Sequence, residues 1–204
     1  MNVLVACEYS GKVREAFRKL GHEAYSLDII DSDDNSPYHI KNDLFSFLES
    51  GVGNKYVGFI APIRFDLIIA HPPCTYLCNS GVSWLHKDKT RWGKMIDGAN
   101  FFKKIMELDC PKIAIENPIM HKYAIEIIGR RQDQVIQPWQ FGHGETKATC
   151  LWLKNIPKLV PTNIVEGRVQ RLHLLPPSKD RAKLRSETYQ GIADAMAEQW
   201  GIIK

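Results

Sequence analysis

The run Phe65-Asp66-Leu67-Ile68-Ile69-Ala70-His71-Pro72-Pro73-Cys74 constrains this chain more than any other stretch. Its apolar, partly β-branched core reads as a buried strand, and two prolines that cannot donate to a ladder end it. The chain must leave the sheet there, and it presents a thiol at the carboxyl end of the strand, where open α/β sheets bind their ligands. Cys74 is therefore placed like a nucleophile. Two other readings of it stay open: a small buried hydrophobe, as free cysteines often are, or a zinc ligand together with His71 and Cys78. The zinc reading lacks the usual short pair spacings and the second half of a closed four-ligand set.

At the start of the chain, Val3 to Cys7 reads as a strand, Glu8-Tyr9-Ser10-Gly11 as a turn, and 12–20 as a helix. Val13, Ala16, Phe17 and Leu20 share one helical face, with Gly21 at the carboxyl cap. A second strand over 24–27 ends in Asp28. This is the opening unit of a nucleotide-type crossover, in which N–H groups at the helix start face an adenosine-bearing ligand and the next strand's carboxylate accepts from ribose hydroxyls. Asp28 fits equally well as a turn residue. Asn42 and Asp43 precede a helix over 44–48 and suit either an N-cap or contact with a nucleobase. The range 52–63 reads as irregular.

Beyond Cys74, residues 75–90 are rich in glycine, serine and asparagine, and Trp84 and Trp92 alternate with Lys87, Lys89, Arg91 and Lys94. The segment reads either as a clasp on a nucleic-acid backbone with rings for stacking or as a solvated loop. It leads into a helix over 95–108 whose apolar stripe is Ile96, Ala99, Phe102 and Ile105. Lys112 to Ile115 is another strand, and Glu116-Asn117-Pro118 at its end repeats the arrangement at Cys74. Two neighbouring strands would bring this acid and the thiol into one crevice. A helix over 123–130, an irregular basic stretch over 157–185 and a last helix over 186–200, with Ser186 and Thr188 as caps, complete the pattern.

With 204 residues, 44% hydrophobic and 25% charged, the chain suits one domain over 1–204, expected as a doubly wound α/β fold with a mostly parallel sheet. A formal charge of +4 is compatible with a polyanionic partner without demanding one. Five irregularly spaced cysteines and a beginning without a leader pattern imply a reducing, cytoplasmic setting. No apolar run approaches the ~20 residues of a membrane span.

Taken in chain order, four segments resemble motifs of the DNA cytosine-5 methyltransferases. Pro72-Pro73-Cys74 is similar to that family's Pro-Cys nucleophile, and Ile115-Glu116-Asn117-Pro118 to its Glu-Asn-Val. Gly142 to Thr149 resembles Gly-x-Pro-Gln-x-Arg-x-Arg, with Glu145 at the glutamine, Lys147 at the first arginine and Thr149 at the second. Ile192-Ala193-Asp194-Ala195-Met196 resembles the closing Ile-Gly-Asn-Ala-Val. The resemblance implies an S-adenosylmethionine-dependent, Rossmann-like enzyme acting on DNA, with no metal. Cys74 would be the thiolate that adds to carbon 6, Glu116 the acid at ring nitrogen 3, and Lys147 the source of positive charge. It implies cofactor contacts at Glu8, Ser10, Gly11, Asp28, Asp43 and Pro72, and substrate contacts at Pro73, Asn117, Thr149, Lys87 and Arg91. The target base would be flipped from the stack and covered by the loop after Cys74.

The chain also departs from that pattern. Cys7 to Lys12 keeps one glycine where the family has Phe-x-Gly-x-Gly-Gly, and 154–185 leaves no room for a target-recognition domain. The implied outcomes are weak sequence preference, a recognition partner protein, or a related pyrimidine substrate; compact chains of this kind are similar to bacteriophage proteins. Two alternatives remain. Methyltransferases acting on exocyclic amino groups carry Asp/Asn-Pro-Pro-aromatic at this same strand end, where this chain has His71-Pro72-Pro73-Cys74. A catalytically silent nucleic-acid-binding protein of the same fold would also tolerate the altered motifs.

Overall fold

The computed structural model describes residues 1–49, 64–178 and 181–203. Seven strands form one sheet in the order β3-β2-β1-β4-β5-β7-β6. They are β1 (Asn2–Ala6), β2 (Glu23–Asp28), β3 (His39–Lys41), β4 (Leu67–Ala70), β5 (Lys112–Pro118), β6 (Gln134–Ile136) and β7 (Thr149–Lys154). β7 runs antiparallel to both its neighbours, and the other pairings are parallel. Both faces are covered, so the central strands are near-continuous apolar runs: all four residues of β4 are buried. The irregular reading of 52–63 lies outside the described residues.

Alternation along each strand sorts the core into two layers. Leu4, Ala6, Ile68, Ala70, Ile113 and Ile115 face α2 (Leu44–Glu49), α3 (Val82–Lys87), α4 (Arg91–Met106) and α5 (Lys122–Ile128). Val3, Val5, Leu67, Ile69 and Ala114 face α1 (Lys12–Lys19) and α8 (Gln190–Trp200). Two short helices, α6 (Arg171–Leu174) and α7 (Arg181–Ser186), precede α8.

Several boundaries differ from the sequence reading for local reasons. Leu20, expected on the buried face of α1, is 50% exposed, because the helix has already closed: Gly21, at φ +82°, donates to the Arg18 carbonyl. α4 begins at Arg91 rather than 95, and Met95 takes the core position assigned to Ile96, which is exposed. The loop after Cys74 contains a 3-10 turn over Asn79–Gly81 and α3. The helix expected over 186–200 is split, since Tyr189 is extended and Ser186 turns its hydroxyl back to the Lys183 carbonyl. β5 runs three residues further than its apolar run, because β7 keeps pairing opposite Glu116, Asn117 and Pro118.

Strand order reverses between β1 and β4. The chain winds outward from β1 to β3, then returns to the other side of β1 to begin β4. The crevice at such a switch point lies at the carboxyl ends of the two strands. Here it is bounded by Cys7-Glu8 and His71-Pro72, joined by the hydrogen bond from the His71 N–H to the Ala6 carbonyl (2.9 Å).

Candidate active site

On the β1 side of the crevice, the turn to α1 is shaped by a glycine and an acid. Gly11 sits at φ +71°, and a Cβ there would overlap the guanidinium of Arg14, a fully buried side chain. Arg14 bonds to Glu15, to Ser26 Oγ (2.7 Å) and to Asp34, tying the loop after β2 to the helix. Glu8 is buried, and its carboxylate accepts from the backbone N–H groups of Val13 (2.8 Å) and Arg14 (3.3 Å). Burial raises its pKa, with these bonds and the charge of His71 opposing the rise. Glu8, expected at the cofactor, thus spends its side chain on the helix, and its own N–H is bonded to the Leu27 carbonyl (3.2 Å). Ser10 bonds weakly to Glu8 (3.4 Å).

Asp28 closes β2, where burial raises its pKa, and its Oδ1 accepts from the Ile30 N–H (3.3 Å). Asp43 is an N-cap, accepting from the Ser46 N–H (2.9 Å), a bond that lowers its pKa. Both carboxylates stand close enough to Cys7 to help burial push that thiol up to about 12. Cys7 itself adopts φ +57°, a left-handed conformation that few non-glycine residues take. The ends of β1, β2 and β3 therefore form an acidic, tightly turned wall.

On the other side, β4 stops at Ala70 while β5 continues, so Glu116 has no β4 residue beside it and His71 fills the place. His71 Nδ1 lies 2.9 Å from Glu116 Oε2, with both side chains about nine-tenths buried. Burial of Glu116 disfavours its charge, but the hydrogen bond from His71 and the charge of Lys147 outweigh it and hold the carboxyl below its usual range. Asn117 donates to the Pro72 carbonyl (2.8 Å), locking the first proline of the turn that carries Cys74. Pro72 is buried and Pro73 exposed. Thr149, at the second arginine position of the resemblance, is buried in β7 and bonds to the Lys147 carbonyl (3.2 Å). Lys147 Nζ donates to the Glu187 carbonyl (3.0 Å), and its charge favours ionisation of both Cys74 and Glu116.

Cys74 and Cys78 are both partly exposed and share a hydrogen bond. That bond, then burial, raises the Cys74 pKa, and the nearby charges of Cys78 and Glu116 add to the rise. Cys78 is lowered, first by the bond from Cys74 and then, against burial, by Ser80 (3.3 Å), the Gly81 N–H and the charge of Arg185. Lys87 and Arg91 lie further out, Lys87 over the ring of Trp84 and Arg91 over Tyr76.

The fold brings Cys74, Glu116, Asn117 and Lys147 together, with Asp28 and Asp43 across the switch point. Sequence reasoning missed His71 as the partner of Glu116, 45 residues away, and Arg185, which α7 carries to the thiols. It also missed the role of Cys78, although a Cys-x-x-x-Cys spacing was visible. Of the zinc set, His71 is committed to Glu116 and the two thiols to each other; among the described residues no three His, Cys, Asp or Glu side chains are grouped to hold a metal. No helix among them is long and apolar enough to cross a membrane.

The sequence matches no family model and no curated protein. Among solved structures, the chain is similar to a candidate DNA modification methyltransferase encoded within an E. coli prophage, at 14% identity and a TM-score of 0.50 over 87% of this chain and 55% of that one. It is also similar to the Entamoeba histolytica methyltransferase EhMeth, at 16% identity and a TM-score of 0.50 over 87% of this chain and 60% of that one. The chain thus spans little more than half the length of either protein. At such identities the likeness is one of fold, and with the sheet order it establishes the α/β, Rossmann-like architecture of S-adenosylmethionine-dependent methyltransferases.

Proposed function

We propose that this protein transfers a methyl group from S-adenosylmethionine to carbon 5 of cytosine in DNA through a covalent adduct with Cys74. The observation that carries the reading is the convergence of Cys74 and Glu116, at the carboxyl ends of β4 and β5, with Lys147, just before antiparallel β7, opposite an acidic wall at β1 to β3. The donor set fits the cofactor: Asp28 and Asp43 suit ribose hydroxyls and a cationic sulfonium. His71 Nε2, buried and without a partner at the switch point, fits a site completed by a ligand. When bound, S-adenosylmethionine supplies an electrophilic methyl group.

Carbon 5 of cytosine is a weak nucleophile, and addition of a thiolate to carbon 6 turns it into an enamine carbon. Cys74 is the thiol aimed for that addition, because Asn117 fixes Pro72 and the turn behind it. Glu116 faces the ring nitrogen, and Lys147 offsets the negative charge that gathers around both groups. Lys87 and Arg91, beside the rings of Trp84 and Tyr76, offer cations and aromatic faces to a displaced strand.

The test is incubation of the protein with methyl-labelled S-adenosylmethionine and cytosine-containing DNA, followed by nucleoside analysis. The expected product is 5-methylcytosine, lost in Cys74→Ser. N-methylated bases would support the exocyclic-amino alternative instead, and turnover that survives Cys74→Ser would refute the covalent route.

A further inference from the structure

The proposed reaction needs a proton at ring nitrogen 3, and Glu116, the acid assigned to it, is itself hydrogen-bonded to a second titratable group, His71, a bond that helps hold the carboxyl below its usual range. Among the described groups the nearby donor is His71. Its Nδ1 is 2.9 Å from Glu116 Oε2, whereas the Lys147 ammonium is turned to the Glu187 carbonyl and the Asn117 amide to Pro72. Resting on the cytosine-5 reading above, we propose that His71 is a positioning residue that works through Glu116, passing to it the proton that the cytosine ring takes up.

As the Cys74 sulfur bonds to carbon 6 and leaves its proton on Cys78, with which it shares a hydrogen bond, the C5=C6 pair becomes C4=C5 and the C4=N3 pair becomes a lone pair on N3. That lone pair takes the proton from a Glu116 carboxyl which has drawn it from His71 Nδ1, so an imidazolium enters the step and a neutral imidazole leaves it. The C4=C5 pair then bonds the methyl carbon as the methyl–sulfonium bond breaks, and C4=N3 re-forms. Loss of the carbon 5 proton to solvent water supplies the pair that expels the Cys74 sulfur, which recovers its proton from Cys78, while the N3 proton returns through Glu116 to His71. The pair begins and ends each cycle in the same state.

The surroundings suit a proton that moves between two partners only. The pair is about nine-tenths buried, and His71 Nε2 has no other partner. The titratable and charged groups facing it are Glu8 from the end of β1, Cys74 from the turn after β4, Lys147 before β7, and Cys150 within β7, whose thiol burial and the Glu116 charge push up to about 11. Placement follows from the topology: β5 outruns β4, so the first residue after β4 meets the first residue of β5 beyond the shared register.

His71→Gln keeps an N–H donor toward Glu116 and cannot titrate. We expect kcat on cytosine DNA to fall ~10²–10³-fold, KM for DNA and S-adenosylmethionine to stay within about 3-fold, and the alkaline fall of the wild-type kcat/KM profile to flatten. Loss of activity below about 3-fold with an unchanged pH profile would overturn the relay. Thermal melting shows whether His71→Gln folds. Should it not, the imidazole ¹⁵N resonances of the wild-type protein decide: a proton on Nδ1 through the pH range of turnover, shifted by Glu116→Gln, supports the pairing, and an unprotonated Nδ1 overturns it. A wild-type protein that forms no 5-methylcytosine overturns the function, and the relay with it. Wild-type turnover with an indifferent His71→Gln overturns the relay alone.

Discussion

Replacing Cys78 with alanine should change how Cys74 loses its proton. In the wild-type site the two sulfurs share a hydrogen bond, and the charge rests on Cys78, which that bond, Ser80, the Gly81 N–H and Arg185 pull down to about 5. At pH 7 an ordinary thiol near 8.5 is about 3% ionised, so full ionisation multiplies the thiolate by roughly 30. A thiolate of lower basicity is also less nucleophilic: with a Brønsted slope of about 0.4–0.5, a shift of about 3.5 units costs roughly 25- to 55-fold per thiolate. The two effects nearly cancel, so the rate at one pH carries little information and its slope carries much. Alkylation by iodoacetamide, followed by peptide mass mapping, should be flat within about 2-fold from pH 6 to 8 in the wild type, with Cys78 modified first. In Cys78→Ala only Cys74 of the pair remains, still raised by burial and the Glu116 charge, and its alkylation should climb roughly tenfold per pH unit. Cys110 and Cys150 are buried, and Cys7 is pushed up to about 12, so the pair dominates the signal. A wild-type rate that climbs tenfold per unit over this range would refute the shared proton.

Four further outcomes follow from the geometry. Gly11→Ala should lose about 2–5 kcal/mol in urea melts, combining a left-handed alanine with the displacement of buried Arg14. Gly191→Ala places a Cβ into the Phe141 carbonyl, where α8 crosses the end of the 3-10 turn over Pro138–Gln140, and should lower the melting midpoint by several degrees. Because Glu116 is held below the ordinary carboxylate range, its contribution to stability is present above about pH 4.3 and is lost as the pH falls through its folded value; urea melts of Glu116→Gln should show a shallower acid dependence there. Lys147→Met removes the charge that favours both anions, so alkylation of Cys74 in the Cys78→Ala background should shift to higher pH.

The parts legible in the sequence are those in which neighbouring residues share one environment. The apolar runs of β1, β4 and β5 announce buried strands, and Val13, Ala16 and Phe17 announce the face of α1. Leu20 and Ile96 were misplaced because periodicity does not say where a helix begins or closes, and no side chain caps the start of α4. Cys74 and Glu116 were legible as strand-end residues, since the prolines just before the one and just after the other mark where the strand gives way. His71 was not, because its partner lies on another strand and only the unequal ends of β4 and β5 bring the two together. Asp43 was legible as an N-cap of the helix that follows it, whereas Glu8 was legible only as a polar residue at the right edge of the sheet, since its use as an acceptor for the start of α1 depends on how the turn over Tyr9 to Gly11 folds back.

The modest net charge of +4 conceals a division along the carboxyl edge of the sheet. Glu8, Asp28, Asp31, Asp33, Asp34 and Asp43 gather on the turns after β1, β2 and β3, while Lys87, Arg91, Lys94, Lys147 and Arg185 lie on the segments around β4, β5 and β7. A cationic sulfonium is drawn to the first half and a polyanion to the second, so the proposed cofactor and substrate approach one crevice from opposite ends without competing. The segment around α7 joins the halves: Lys183 pairs with Asp33 (2.6 Å), Lys12 with Glu187 (2.8 Å), and Tyr9 with Ser186 (2.8 Å). The two ion pairs are exposed enough to be weak one by one. Their placement matters more than their strength, because the same segment carries Arg185 to Cys78 and supplies the Glu187 carbonyl that holds Lys147. The stretch where the resemblance leaves no room for a recognition domain therefore contributes to the thiol pair itself, and a larger insertion there would have to preserve those contacts to keep the same proton on Cys74.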